Sequence, residues 1–365
     1  MSTRSNSERK MTTATLSIHS AETNRRLVRN WLYCICCLIL LMVIVGGATR
    51  LTDSGLSITE WQPILGAIPP LSQADWDLAL EKYRQIPEYQ QINKGMSMAE
   101  FQFIYWWEWG HRFLGRLIGL FVALPLAYFW ITGKLEGFMK PRLLILFGLG
   151  GLQGFIGWWM VKSGLVDRVD VSQYRLAVHL TLACLIFAYA LWLARGLLPD
   201  ENREGAPALQ WFAMFVFLAI IVQIFLGALV AGLDAGLAFN DWPTMDGRWV
   251  PTDLWIRSPW WLNAFENPKT VQFVHRVSAY AVMLLIVTQM VYVLRSQAAL
   301  AHKTRSAILV LLVLLQAAIG IVTLVMQVPL FWALLHQGGA VVLLGFAVVH
   351  WRAVFGGYAP EPSLT

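Results

Sequence analysis

Four of the seven histidines in this chain stand near the start of apolar helical runs: His111, His179, His275 and His336. The runs they open are the second, fourth, sixth and eighth of the chain. Neutral imidazole binds iron well. Two imidazoles on different helices can clamp a flat macrocycle from both sides. The pattern predicts two such clamps, His111 with His179 and His275 with His336, each holding one haem iron. A single polar residue in a span is a functional candidate, although it serves equally well as a helix–helix hydrogen-bond partner. Four of them in two pairs favour ligation. Zinc or copper suits them less, because no cysteine cluster accompanies them. Their flanks are bulky and apolar (Phe113, Leu114, Leu176, Leu180, Val274, Leu335), as a large flat ring requires. His19, His302 and His350 read as incidental.

One pair carries a carboxylate. Glu108 stands one helical turn before His111, whereas the matching position before His275 is Gln272, which cannot ionise. If a helix already includes position 108, Glu108 and His111 share a face. A carboxylate there could accept a proton, orient water or stabilise a developing cation; it could equally be a first-turn acid favoured by the helix dipole. The contrast assigns chemistry to the N-terminal pair and electron transfer or structure to the other. Arg50, Arg112, Arg116 and Arg276 are candidate partners for haem propionates, with interfacial snorkelling as the plainer alternative.

These residues need a membrane scaffold to position them. The sequence is 57% hydrophobic and 14% charged, outside the range of soluble domains. Eight apolar stretches long enough to span a bilayer fall near 31–49, 112–132, 142–161, 174–194, 209–231, 271–294, 305–326 and 332–351. An even number puts both termini on one side. That side carries Lys+Arg 15 against Asp+Glu 7, and the other carries 13 against 15. The termini are therefore expected in the cytoplasm. The net charge of +6 follows from this topology and does not point to nucleic acid. No cleavable signal is evident, and a bacterial inner membrane is favoured over an organelle. Cys34, Cys36, Cys37 and Cys184 all fall within spans. Cys34 and Cys37 share a helix face but read as small apolar residues, and no external disulfide is expected.

The two halves of the chain resemble each other. GGATRLTDSGLSITEWQPILG (46–66) parallels GALVAGLDAGLAFNDWPTMDG (227–247). Gln153-x-x-x-Gly157 parallels Gln316-x-x-x-Gly320, and His111-Arg112 parallels His275-Arg276. The expected fold is an all-α integral membrane protein of eight transmembrane helices, arranged as two tandem pseudo-symmetric four-helix bundles. Its expected parts are a cytoplasmic tail (1–30), an N-terminal half (31–196), a linker (197–208), a C-terminal half (209–352) and a second tail (353–365). All four histidines would lie toward the outer face. Tryptophans in the two long outer loops form an interfacial belt that could also cover the porphyrin pockets.

The segments GGATRLTDSGLSITEWQPILGAIPP (46–70) and FIYWWEWGHRFLGRLIG (103–119), with the four-histidine pattern, resemble the haem A synthases, in particular their mitochondrial and alphaproteobacterial branch. The similarity runs through most of the chain. It implies conversion of haem O to haem A for cytochrome oxidase, by oxidation of one porphyrin methyl to a formyl through successive hydroxylations. It also implies haem O as substrate between His111 and His179, haem b as cofactor between His275 and His336, and Glu108 as the essential catalytic glutamate. Some members carry a cysteine pair in the first outer loop; this sequence lacks it. The haem O-producing farnesyltransferase and cytochrome oxidase assembly factors are implied partners. Gly115-x-x-x-Gly119 offers a packing site within the bundle or in a homo-oligomer.

Two other readings use the same residues. A b-type dihaem cytochrome linked to quinol would keep both haems chemically unchanged and would not need Glu108. A repeat-built transporter would want broken helices around a polar midplane site, which the uninterrupted spans do not offer.

Overall fold

In the computed structural model, residues 2–166, 168–198 and 206–357 are described, with side chains from residue 19 onward. Most of the expected linker (197–208) and second tail (353–365) lies outside the described residues. Among those residues eight helices are long and apolar enough to cross a membrane. They are α1 (Ser2–Leu51), α4 (Met98–Ile131), α5 (Met139–Lys162), α6 (Gln173–Gly196), α7 (Pro207–Gly232), α9 (Pro268–Arg295), α10 (Leu300–Val325) and α11 (Leu330–Phe355). Three short helices, α2 (Gln73–Tyr83), α3 (Pro87–Gln91) and α8 (Asn263–Glu266), lie in the two long loops.

Two helices start much earlier than their apolar runs. The segment expected as a polar tail is the first part of α1. Nothing breaks that helix, since no Gly or Pro precedes Gly46. Helix α4 begins at Met98 because Ser97 and Glu100 form a capping box. Ser97 Oγ accepts from the Glu100 N–H, and Glu100 Oε2 accepts from the Ser97 N–H at 2.8 Å. Glu108 and His111 thus occupy successive turns of one helix.

Helices α1, α6, α7 and α11 form the interior of the bundle. Helices α4 and α5 flank it on one side and α9 and α10 on the other. The two sets of four spans therefore share a central layer, and the core there is continuous: Leu32, Ile35, Cys184, Ala190, Ile220 and Leu344 are all buried within it. Close backbone approach helps. A side chain at Gly47 would collide with the amide of Gln337, whose Nε2 donates to the Val43 carbonyl at 2.8 Å. The flanking pairs differ, since α9 packs along α10 much more extensively than α4 packs along α5.

Ion pairs close both ends. At the end holding the termini, Arg25 binds Glu136 at 2.6 Å. At the long-loop end, Arg50 reaches Asp234 at 2.7 Å, Asp53 at 3.0 Å and Asp170 at 3.7 Å. The first long loop is seated on α4 by aromatic rings. Tyr83 and Phe101 are fully buried, and Trp76 meets Tyr105 edge-on at 5.0 Å.

Candidate functional site

Each of the four histidines lies against a glycine of the preceding spanning helix. His111 of α4 faces Gly46 of α1, His179 of α6 faces Gly157 of α5, His275 of α9 faces Gly227 of α7, and His336 of α11 faces Gly320 of α10. The spacing is tight: a side chain at Gly320 would clash, and at the other three the ring would have to yield by a few tenths of an ångström. A Cβ would stand 3.1 Å from His111 Nε2, 3.0 Å from Cε1 of His179 and of His275, and 2.6 Å from Cε1 of His336. All four residues are half-buried. His111 lies within electrostatic range of His179, and His275 of His336.

Three histidines share a second partner, found one turn before the glycine. Gln153 Nε2 is 3.1 Å from His179 Nδ1, Gln223 Nε2 is 3.0 Å from His275 Nδ1, and Gln316 Nε2 is 3.1 Å from His336 Nδ1. Each amide also donates to the backbone carbonyl of the same histidine, at 3.0, 3.0 and 2.7 Å respectively. Ring rotation is thereby restrained. At the equivalent place beside His111 the residue is Met42, whose Cε packs toward Gly115. His111 makes no side-chain hydrogen bond among the described residues. Gln153 and Gln316 stand out in the sequence only as repeat markers. Gln223 escapes notice there, although the same glutamine–glycine spacing exposes it.

Glu108 is buried and fully engaged. Its Oε2 accepts from Ser57 Oγ at 2.8 Å and from the Ile58 N–H at 2.6 Å, and its Oε1 accepts from Arg112 at 2.6 Å. Gln272 occupies the matching place. Its Nε2 donates to the Ala235 and Ala238 carbonyls at 2.7 and 3.0 Å, and its Oε1 accepts from Arg276 at 3.0 Å. Both residues pin the chain that leaves the first helix of their half. Only Glu108 does so with a charge.

The four candidate arginines also bind the loops. Arg112 donates to the Ile58 and Glu60 carbonyls, Arg116 to those of Gln62 and Pro63, and Arg276 to those of Phe239, Asp241 and Thr244. Arg50 is held by its three aspartates. Arg50 Nε, Arg116 Nη1 and Arg276 Nε remain buried without a hydrogen-bond partner among the described residues, which leaves each an N–H for an incoming anion.

Glu88 of α3 has no counterpart in the sequence reading. It is 5% exposed, its Oε2 has no partner among the described residues, and burial followed by repulsion from Glu108 pushes its carboxyl up to about 8. His302 and His350, which read as incidental in the sequence, are both buried near the terminal end, with ring centroids 6.4 Å apart. Cys34 and Cys37 are exposed on α1, whereas Cys36 and Cys184 are buried, and all four are free thiols.

Residues 29–348 match the COX15-CtaA family of cytochrome oxidase assembly proteins. The chain belongs to that family. It is 56% identical over 338 residues to the haem A synthase of Brucella ovis, which covers 93% of this chain and 94% of that protein. It is 57% identical over 339 residues to the haem A synthase of a Chelativorans species, with the same coverage of both chains. Paired imidazoles against glycines, with glutamines steering three of the four rings, fit a family whose named members make haem A.

Proposed function

We propose that this chain converts haem O to haem A, oxidising one porphyrin methyl to a formyl through successive hydroxylations, for use by cytochrome oxidase. One observation carries the assignment of roles: two imidazole pairs sit in closely similar surroundings, and only one has a carboxylate in the turn before it. The substrate haem O then sits between His111 and His179, and a haem b between His275 and His336.

The porphyrin itself supplies a conjugated system that spreads charge or spin from the methyl carbon. The protein supplies ligation, orientation and a proton acceptor. Gln153, Gln223 and Gln316 hold three imidazoles in one rotation. Glu108 is kept close to the first site by Arg112, and it takes up a proton by giving up one of its loop hydrogen bonds. Arg50, Arg112, Arg116 and Arg276 line the same end of the bundle, where propionates would emerge.

The long-loop end is assigned to the periplasm and both termini to the cytoplasm of a bacterial inner membrane, on the charge bias of the connecting segments. The units are the four spans up to residue 196 and the four from residue 209. A farnesyltransferase that makes haem O, and assembly factors that receive haem A, are the expected partners.

A second reading, a dihaem b-type cytochrome, is favoured by one fact: Glu108 pins its loop as the neutral Gln272 does. Mass spectrometry of pigments extracted from the purified protein separates the two. Haem O, hydroxylated porphyrin or haem A supports the synthase, and haem b alone supports the cytochrome.

A further inference from the structure

At the long-loop end of the N-terminal half, α5 and α6 diverge around a cleft of about 520 Å³. Trp159, Lys162, Arg168, Ser172 and Arg175 line it. Its volume is that of a small-molecule site, and its described lining carries three cations and no carboxylate, Asp167 lying outside the described residues. Among the described residues, none of its three cations is paired with a carboxylate. Lys162 rests over the Trp158 ring at 5.3 Å. Arg168 donates to the neutral Gln173 Oε1 at 3.2 Å. Arg175 donates to the Trp159 carbonyl at 2.6 Å, and its guanidinium lies over that ring at 4.4 Å. Lys162 and Arg168 are exposed. Arg50, Arg112, Arg116 and Arg276, by contrast, hold the loops in place. Topology does not account for the cluster either, because membrane proteins concentrate such charges on the cytoplasmic side.

The cleft lies at the end of α6 that carries His179. Arg175 is about one turn before His179 on the same face of α6, about 6 Å along the axis. Lys162 follows Gly157, the glycine against His179, by five residues. One turn is on the scale of the step from a porphyrin's centre to its carboxylate-bearing edge. The other half has no such feature. The turn from α10 to α11 reads Met326-Gln327-Val328-Pro329, without a cation, and the residue one turn before His336 is Trp332.

We propose that Lys162, Arg168 and Arg175 form a docking site for the carboxylates of the porphyrin held at His179. This rests on the assignment of that histidine to a haem. Charge-assisted hydrogen bonds from exposed cations hold an anion firmly and still let it go. The site therefore belongs to the half that must take up a substrate and release a product.

The test uses the full-length protein in detergent, with ferric haem b as probe and the Soret change abolished by His179→Ala as the signal for this site. Arg175 is left intact because it also supports Trp159. The Lys162→Gln/Arg168→Gln double variant is expected to bind the probe about tenfold more weakly. The dimethyl ester of the same porphyrin, whose carboxylates are blocked, is expected to bind wild type and variant alike. An unchanged Soret band from the C-terminal site shows that the variant is folded. Equal affinity for the free acid, or equal loss for acid and ester, overturns the proposal. So does loss of co-purifying phosphatidylglycerol with porphyrin affinity intact, because the anion is then a lipid headgroup. If no Soret change in the wild type depends on His179, the haem assignment falls and this site falls with it.

Discussion

Gln223 holds the Nδ1 edge of His275 at 3.0 Å while donating to that histidine's own carbonyl. Its Oε1 in turn accepts from the hydroxyl of Ser278, one turn along α9 from His275. An amide anchored at three points leaves the imidazole one orientation. Partners of this kind are worth about 10–100-fold in metal affinity. Gln223→Leu should therefore raise the rate at which the C-terminal haem is lost to apomyoglobin by about that factor. A rate equal to wild type would remove the glutamine from the site.

Glu108 and Gln272 both tie a loop to the helix, Glu108 by accepting on both oxygens and Gln272 by donating to two carbonyls and accepting from Arg276, and Glu108→Gln removes the charge at the smallest change of shape. It should leave both haems bound and the first loop more weakly held, since an amide cannot accept from both the Ile58 N–H and Arg112, yet stop formation of haem A. Glu108→Ala should stop it too, with some loss of stability because Ser57, Ile58 and Arg112 lose a buried acceptor. Haem A accumulating normally in Glu108→Gln cells would show that the carboxylate takes no part in the reaction.

Glycines along one helix should differ sharply. Alanine at Gly157 puts a methyl 3.0 Å from His179, whereas nothing lies within 4 Å of a Cβ at Gly154. Overpacking costs about 1–3 kcal/mol where neighbours cannot move. Gly157→Ala should lose pigment from the N-terminal site and melt earlier, with Gly154→Ala unchanged in both. Similar behaviour of the two variants in absorption spectra and thermal scans would mean that the contact at Gly157 is slack.

Glu88 makes the first loop sensitive to alkali. Burial, then repulsion from Glu108, Asp170 and Asp53, raises its carboxyl from 4.5 to about 8, against a smaller opposing effect of the Tyr83 hydroxyl. The folded loop thus keeps a proton that the unfolded chain releases above about pH 4.5. Stability from this group is complete below that pH and drains away as the pH climbs through 8. Limited proteolysis of the loop at pH 6 and pH 9 should show faster cutting at pH 9 in wild type and little difference in Glu88→Gln. An equal pH effect in both would assign the sensitivity elsewhere.

The apolar runs and the four histidines are plain in the sequence, because a bilayer and an iron both demand residue types that stand out. The early start of α4 is also legible there, in the Ser97–Glu100 capping box, but a scan for apolarity passes over it. Gln223 hides in an apolar helix with no polar neighbour to draw attention to it. Glu88 cannot be found by pattern at all. Its burial depends on how the Trp76, Tyr83 and Phe101 rings pack, and it comes from a loop whose composition suggests solvent. The shared central layer is equally invisible, since periodicity assigns a face to each helix but not the helix that covers it.

Arg25 and Arg50 both lie on α1, 25 positions apart, and each is tied to another part of the chain, Glu136 at one end and Asp234 at the other. At about 1.5 Å per residue the two ties are about 37 Å apart, a little more than the roughly 30 Å of hydrocarbon in a bilayer. The helix works as a gauge rod, with a charged stop at each water boundary. Gly46, which seats His111, is four positions inward from the upper stop, or about 6 Å. If the porphyrin of the proposed function is gripped at His111, this depth would keep its rim within about one helical turn of the water boundary.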